Sequence, residues 1–168
     1  MAVANSKSTV VSNADASPRT PNSSYLEHSS LKECIGTVAV AAADDDGSVY
    51  RMARVPSGAR ISQVLVANDA VTGGTSYDFG VYDTAAVNSG AVVDADVFLS
   101  AVDMSSARAQ LTDLTHESAV NPIEYAEKRL WELLGLSADP FKEYDLAFTA
   151  NTVGSAAGDL TVAVRYVI

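Results

Sequence analysis

The chain has 168 residues, of which 48% are hydrophobic, 7% aromatic and 19% charged; this fits one folded domain with an appendage and excludes a fibrous or wholly disordered protein. The net charge of −10 argues against binding to a phosphate backbone, so we expect no nucleic-acid partner. The single cysteine, Cys34, excludes an internal disulfide framework and a cysteine-based zinc site, and no apolar run reaches the roughly 20 residues of a membrane span.

The first 34 residues are predicted to form an extended N-terminal arm. Residues 1–34 are rich in Ser, Asn, Thr and Ala and contain few large apolar side chains. Such a segment cannot bury enough apolar surface to offset the entropy that it loses on ordering. The segment is neutral, so residues 35–168, with 8 basic and 18 acidic side chains, carry the whole net charge. We therefore expect an arm that lies against a partner or its own domain, followed by a separate domain at 35–168.

Five residues of the arm are the candidate partner-binding residues. Pro18 and Pro21 favour extended backbone, and Arg19 lies between them. Tyr25 and Leu26 are the best anchoring side chains of the segment. A segment of this kind gains order by laying its backbone and small side chains along another surface. The N-terminus also lacks the continuous apolar stretch of a signal peptide, so we expect none.

From residue 35 onward, short strands alternate with turns. Apolar residues alternate most regularly at Tyr77, Phe79 and Val81, a periodicity typical of strands, and the Asp-Gly step at Gly47 is typical of a hairpin turn. The strands are predicted at 35–42, 49–55, 60–68, 76–82, 91–93, 97–104, 144–150 and 159–167. Seven or eight short strands without βαβ alternation predict a mainly β chain, an antiparallel β-sandwich.

One helix is predicted at about 122–134, inserted between strands. Asn121 fits the N-cap, Pro122 the first helical position and Gly135 the left-handed position after the helix. Ile123, Ala126, Leu130, Leu133 and Leu134 form an apolar stripe at helical spacing. The stretch before it is ambiguous, because residues 108–114 fit either a short helix or a loop.

No residue pattern supports catalysis or metal binding. The two histidines, His28 and His116, have no GxSxG, HExxH or Cys-His context, so we expect solvated side chains. The carboxylates of Asp44, Asp45 and Asp46 are consecutive and lack the closing Glu of a calcium loop, which favours an exposed turn. We therefore predict that the protein is not an enzyme, has no metal site and needs no cofactor.

Two further features have simple structural explanations. Residues 72–75 (TGGT) lack the Gly-Lys-Ser/Thr of a phosphate loop and are expected to form a turn. The seven tyrosines and one tryptophan could line a sugar-binding platform, but most stand at alternating strand positions, where core packing is the usual outcome. A carbohydrate-binding module is for this reason an alternative and not the main hypothesis.

Three stretches carry a resemblance to a known family. Residues 50–61 (YRMARVPSGARI), 68–83 (NDAVTGGTSYDFGVYD) and, in the arm, 12–19 (SNADASPR) resemble small structural proteins of tailed bacteriophages, of the kind known as capsid decoration (cement) or virion structural proteins. The resemblance implies a jelly-roll-like sandwich bound to the outer surface of a capsid. It supplies no active site to carry over.

The resemblance sets the functional hypothesis. It implies a virion protein, assembled in the host cytoplasm, that binds the major capsid protein on the capsid exterior and stabilises contacts between coat subunits. We expect a homo-oligomer, with a trimer favoured. A strongly acidic domain is repelled by packaged DNA, which agrees with an outward position. The alternatives are another virion component, such as a neck, tail or fibre-base protein, and the carbohydrate-binding module.

Overall fold

The computed structural model describes residues 6–117 and 119–168, and within these ranges the chain forms eight strands. The strands are β1 (Lys32–Val40), β2 (Ser48–Pro56), β3 (Arg60–Asn68), β4 (Ser76–Asp83), β5 (Val92–Val102), β6 (Arg108–Asp113), β7 (Glu143–Thr152) and β8 (Gly158–Val167). Helical structure is short: α1 (Thr9–Asp15), α2 (Leu130–Leu133) and 3₁₀ turns at Asn88–Gly90 and Ile123–Tyr125.

The strands form two antiparallel sheets of four strands each. One sheet has the order β1-β8-β3-β6 and the other the order β2-β7-β4-β5. The pairs β1–β8, β2–β7, β3–β6 and β4–β5 are those of one long hairpin folded over itself. This strand order is that of an eight-stranded jelly roll. The predicted antiparallel, jelly-roll-like β-sandwich is therefore confirmed.

The core lies between the sheets and is built around aromatic side chains. The rings of Phe79 and Phe148 face each other across the β4–β7 pair with centroids 4.7 Å apart, and Tyr77 meets Phe148 edge-on at 6.4 Å. All three side chains are fully buried. The Tyr77 hydroxyl donates a hydrogen bond to the Val153 carbonyl at 2.8 Å, and burial raises the pKa of Tyr77 to about 12. The alternation seen in the sequence thus places these side chains in the core.

Strand β5 is continuous where the sequence predicted two strands, at 91–93 and 97–104. Its register against β4 shifts around Gly80, and the backbone of β5 crosses directly over this glycine. A Cβ atom on Gly80 would lie 2.1 Å from the Asp94 carbonyl oxygen, so no other residue fits here without moving the strand.

The stretch at 108–114, for which the sequence allowed a short helix or a loop, instead forms strand β6. It pairs with β3 at the edge of its sheet, and most of its residues are exposed. In the sequence Arg-Ala-Gln-Leu-Thr-Asp only Ala109 and Leu111 alternate with polar residues, which is a weak strand signal, because an exposed edge strand has no buried face that requires large apolar side chains.

The helix predicted over 122–134 is present only in part. The second 3₁₀ turn and the single-turn α2 lie inside that range, but Arg129 between them is extended, with φ −79° and ψ 163°. The Leu130 amide donates to the Ala59 carbonyl at 2.7 Å instead of to a residue one turn back. Attachment to the β2–β3 turn has overridden the local helical preference.

Candidate attachment site

The described part of the arm, from residue 6 onward, folds largely on itself. Helix α1 is capped by the Ser8 hydroxyl, which accepts from the Val11 amide at 3.4 Å, and none of its seven residues is buried. The sequence predicted an extended arm, and the structure corrects this prediction. The arm is helical in part. Across residues 6–117 and 119–168, the hydrogen bonds of segment 6–24 all have their partners within 6–27.

Asn22 is the centre of this local structure. Its side-chain amide donates to the Val10 carbonyl at 3.2 Å and to the Glu27 carboxylate at 2.6 Å, and its carbonyl oxygen accepts from the Asn13 side chain at 2.8 Å. The Asn22 bond, with further help from the His28 side chain, lowers the pKa of Glu27. Side-chain amides therefore take the place that a hydrophobic core would have in a larger unit.

Tyr25 joins the arm to the sandwich. Its carbonyl oxygen accepts a hydrogen bond from Arg60 Nε at 2.8 Å. The Arg129 guanidinium lies 4.8 Å from the centroid of the Tyr25 ring and 4.8 Å from that of the Trp131 ring. An arginine between two aromatic rings makes a cation–π contact with each. We call the group of Tyr25, Arg60, Arg129 and Trp131 the clamp.

Glu132 fixes the arginine of the clamp. Its carboxylate accepts from the Arg129 amide at 2.7 Å and from the Arg129 side chain at 3.3 Å. The hydrogen bond with Glu132 raises the pKa of Arg129. Burial raises the pKa of Glu132, but its bonds with Arg129 outweigh burial and leave it below the ordinary value. Nearby, the Ser29 hydroxyl donates to the Ile168 carbonyl at 2.9 Å and gives the arm a second tie to the sandwich.

The five predicted binding residues fall into two groups. Pro18, Arg19 and Pro21 are exposed, and the last two line a shallow cavity of about 390 Å³ within the arm. Tyr25 and Leu26 are half-buried where the arm meets the sandwich. Their role in binding a partner stays a prediction.

The other members of the clamp were not identified from the sequence. They are 35 or more residues from Tyr25 along the chain, so no local pattern connects them. The apolar-stripe prediction did mark the neighbourhood of Trp131, but as part of a helix.

The residues considered for catalysis have structural surroundings. His28 Nε2 lies 3.0 Å from the Glu27 carboxylate in the arm, and His116 Nδ1 lies 3.2 Å from the Asn121 carbonyl oxygen. The Asp44 carboxylate accepts from the Ala41 amide and the Tyr50 hydroxyl, which lower its pKa. Within the part of the chain that the structure describes, no three His, Cys, Asp or Glu side chains are grouped to hold a metal ion.

An ion-pair network lies on the outer face of the second sheet. The buried carboxylate of Asp145 accepts from Arg54 Nε at 2.6 Å and from Arg51 Nη1 at 3.1 Å. Lys142 Nζ is 2.6 Å from the Asp83 carboxylate. Because Arg51 and Arg54 on β2 both bind Asp145 on β7, the network ties these two strands together.

Comparisons with known proteins give one distant likeness. No protein-family profile matches the chain, and no curated protein gives a significant match. Among solved structures, the chain is similar to a chain of the cyanophage Pam1 capsid asymmetric unit, at 18% identity over 83% of this chain and 86% of that chain, with a TM-score of 0.45. At this distance the likeness assigns no function, and the jelly-roll assignment rests on the strand order. No helix among the described residues is both long and apolar enough to cross a membrane.

Proposed function

We propose that the chain is a structural protein of a tailed-phage virion that binds the outer surface of the capsid and stabilises contacts between coat subunits. Its partner is the major capsid protein, and it acts as a homo-oligomer, for which a trimer is favoured. The resemblance of residues 50–61 and 68–83 to decoration proteins supplies the class of function.

The structure of the arm is the main support for a binding role. Segment 6–24 is ordered by its own hydrogen bonds, buries little surface against the sandwich and is attached through Tyr25. A neutral arm with exposed prolines can lie along another protein and exchange its own contacts for those of that surface. The arm, predicted at 1–34, is therefore the binding part of this proposal, with Pro18, Arg19, Pro21, Tyr25 and Leu26 as its contact residues. The predicted boundary at residue 35 moves to Lys32, where β1 begins, and the sandwich from there onward is the rigid part.

The charge of the sandwich supports an outward position. The excess of acidic side chains lies in residues 35–168, and packaged DNA repels a surface of that sign. Binding to the exterior keeps the domain away from the nucleic acid. It also keeps the decorated particle negatively charged and thereby opposes aggregation.

The carbohydrate-binding alternative finds no support in the aromatic residues. A sugar platform requires exposed rings side by side. Tyr50, Tyr77, Tyr82 and Tyr144 are all buried. Their burial removes four of the seven tyrosines from any such platform.

A truncated protein tests the proposal. Full-length protein and a variant lacking residues 1–30 would be mixed at limiting concentration with purified shells that lack this component, and occupancy would be measured by sedimentation. We expect the full chain to occupy the shells and the truncated chain to bind at least about tenfold more weakly, because the arm contacts are lost. The melting temperature of the truncated protein serves as the control for folding.

Three outcomes would contradict parts of the proposal. Failure of the full chain to occupy shells, with binding to isolated necks or tails instead, would replace the capsid with another part of the virion. Equal occupancy by both proteins would show that the arm is not the anchor. Loss of the folded sandwich on truncation would show that residues 1–30 belong to its core.

A further inference from the structure

The two ends of the sandwich differ in charge. The loops at the far end, 41–47, 69–75, 103–107 and 153–157, join the strand ends opposite the arm. Their charged residues are all acidic: Asp44, Asp45, Asp46, Asp69 and Asp103. The loops at the other end, which we call the arm end, are 57–59, 84–91 and 114–142. Here basic residues offset part of the acidic charge: the three cations Lys128, Arg129 and Lys142 stand against the five anions Glu117, Glu124, Glu127, Glu132 and Asp139.

The ends also differ in exposed apolar surface. The four far-end loops contain none of the large exposed apolar side chains of the described chain. The arm end holds seven of them, either in its loops or beside the point where the arm joins: Leu31, Val87, Ile123, Tyr125, Leu136, Phe141 and Ile168. Concentrated exposed apolar surface of this kind marks an interaction site, whereas single exposed apolar residues do not.

Phe141 is the most exposed of these side chains, and hydrogen bonds hold its backbone. Its relative exposure is 91%, and its backbone has φ 51°, a left-handed conformation that a bulky residue seldom adopts. The Asp139 carboxylate accepts from the Phe141 amide at 2.9 Å and from the Ser57 hydroxyl. The loop is thereby tied to the β2–β3 turn, so binding through this ring costs little further backbone entropy.

An apolar groove lies next to this ring. It has a volume of about 440 Å³, and its walls include Pro56, Gly58, Phe141 and Ile168. Asp139 would be only 2.7 Å from a Cβ atom on Gly58, so the glycine lets the loop approach closely. A projecting aromatic ring beside an apolar groove is the arrangement found at the energetic centre of protein–protein interfaces.

We infer that the arm end is the face that docks on the protein surface of the capsid shell, with Phe141 as its anchor, and that the acidic far end points away from the particle. This inference rests on the proposed function. The occupant is a protein surface with apolar pockets and no strong negative charge, because it must match an apolar end that is weakly acidic. The arm leaves from the same end, so one surface can bind both the arm and Phe141.

Single substitutions test this orientation. The test variant is Phe141→Ala, and Leu111→Ala on β6 is the matched control, because Leu111 is also exposed but lies on the edge strand, outside the arm-end loops and the groove. Asp45→Asn removes a charge from the far end. It leaves the carboxylates of Asp44 and Asp46 in their hydrogen bonds. Each protein would be titrated onto purified shells lacking this component, and the concentration at half-occupancy would be measured by sedimentation.

We expect Phe141→Ala to raise the half-occupancy concentration by about tenfold or more, as for an interface anchor. Leu111→Ala and Asp45→Asn should change it by no more than about twofold. Wild-type protein that binds shells, together with an unchanged titration of Phe141→Ala, would overturn the inference and leave the proposed function standing. No binding by the wild type would overturn both.

A second copy of the chain is the competing occupant. Sedimentation of each protein without shells decides this point. If Phe141→Ala dissociates the free oligomer, the arm end is an interface between copies and the inference is wrong. An unchanged oligomer with weakened shell binding supports it. The melting temperature of Phe141→Ala should match that of the wild type, because the ring is outside the core.

Discussion

The sandwich and the arm are stabilised in different ways although they belong to one chain. The sandwich has fully buried rings such as Phe79 and Phe148 between its two sheets, so its free energy of folding comes mainly from apolar burial. The described arm is held by side-chain hydrogen bonds around Asn22 and by the clamp at Tyr25. Intramolecular hydrogen bonds contribute only about 0.5–1.5 kcal/mol each, so the arm can exchange its contacts for those of a partner.

The largest expected effect lies in the core. Phe148→Ala should lower the free energy of unfolding by about 3–5 kcal/mol, because it removes a fully buried ring and leaves a cavity between the sheets. Phe141→Ala is the matched control, since it deletes the same ring from an exposed position and should change stability by less than about 0.5 kcal/mol. Urea unfolding of both variants makes the comparison. Similar values for the two would contradict the division into a buried core and an exposed arm end.

A smaller effect is expected at the clamp. Tyr25→Ala removes the ring that contacts Arg129 and should cost about 0.5–1 kcal/mol. Trp131 is the only tryptophan and contacts the same arginine, so its fluorescence reports on the clamp directly. Tyr25→Phe keeps the ring and the carbonyl that binds Arg60, and it should leave the spectrum unchanged. If Tyr25→Ala also leaves the Trp131 emission unchanged, the clamp does not hold the arm.

The smallest effect concerns acid. The folded pKa of Glu132 is below its ordinary value of 4.5, so its stabilising contribution is present above pH 4.5 and is lost as the pH falls through the lowered value. For a partly exposed pair this contribution is on the order of a few tenths of a kcal/mol. The stability difference between wild type and Glu132→Gln should be constant from pH 8 to about pH 5 and should shrink below pH 4.5. A difference that grows in acid would contradict the sign.

Much of the fold could be predicted because the buried strands carry a strong pattern. Strands β3, β4, β7 and β8 alternate around apolar side chains that meet one core, and turn residues separate them. The edge strand β6 could not be found this way, because most of its residues are exposed and neither of its faces packs against the core. The break predicted inside β5 coincides with its crossing over Gly80, where the chain leaves regular pairing without ending the strand.

The candidate site was harder to predict. Capping and stripe signals around 122–134 describe a helix in isolation, whereas Leu130 finds its hydrogen-bond partner in the β2–β3 turn. The rings of Tyr25 and Trp131 are brought to one arginine by the tertiary fold alone. Phe141 gave no signal in the sequence because one exposed ring has no periodicity. Residues 1–5, part of the predicted arm, lie outside the described residues.

The close approach at Gly36 joins the two sheets more tightly on one side of the sandwich than on the other. A Cβ atom on Gly36 would lie 2.4 Å from the Met52 carbonyl oxygen, so β1 and β2 nearly touch and join the two sheets along one side. On the other side β6 is an exposed edge strand with a broken register to β3. We therefore expect thermal unfolding of the domain to begin with release of β6, whereas the side where β1 meets β2 opens later.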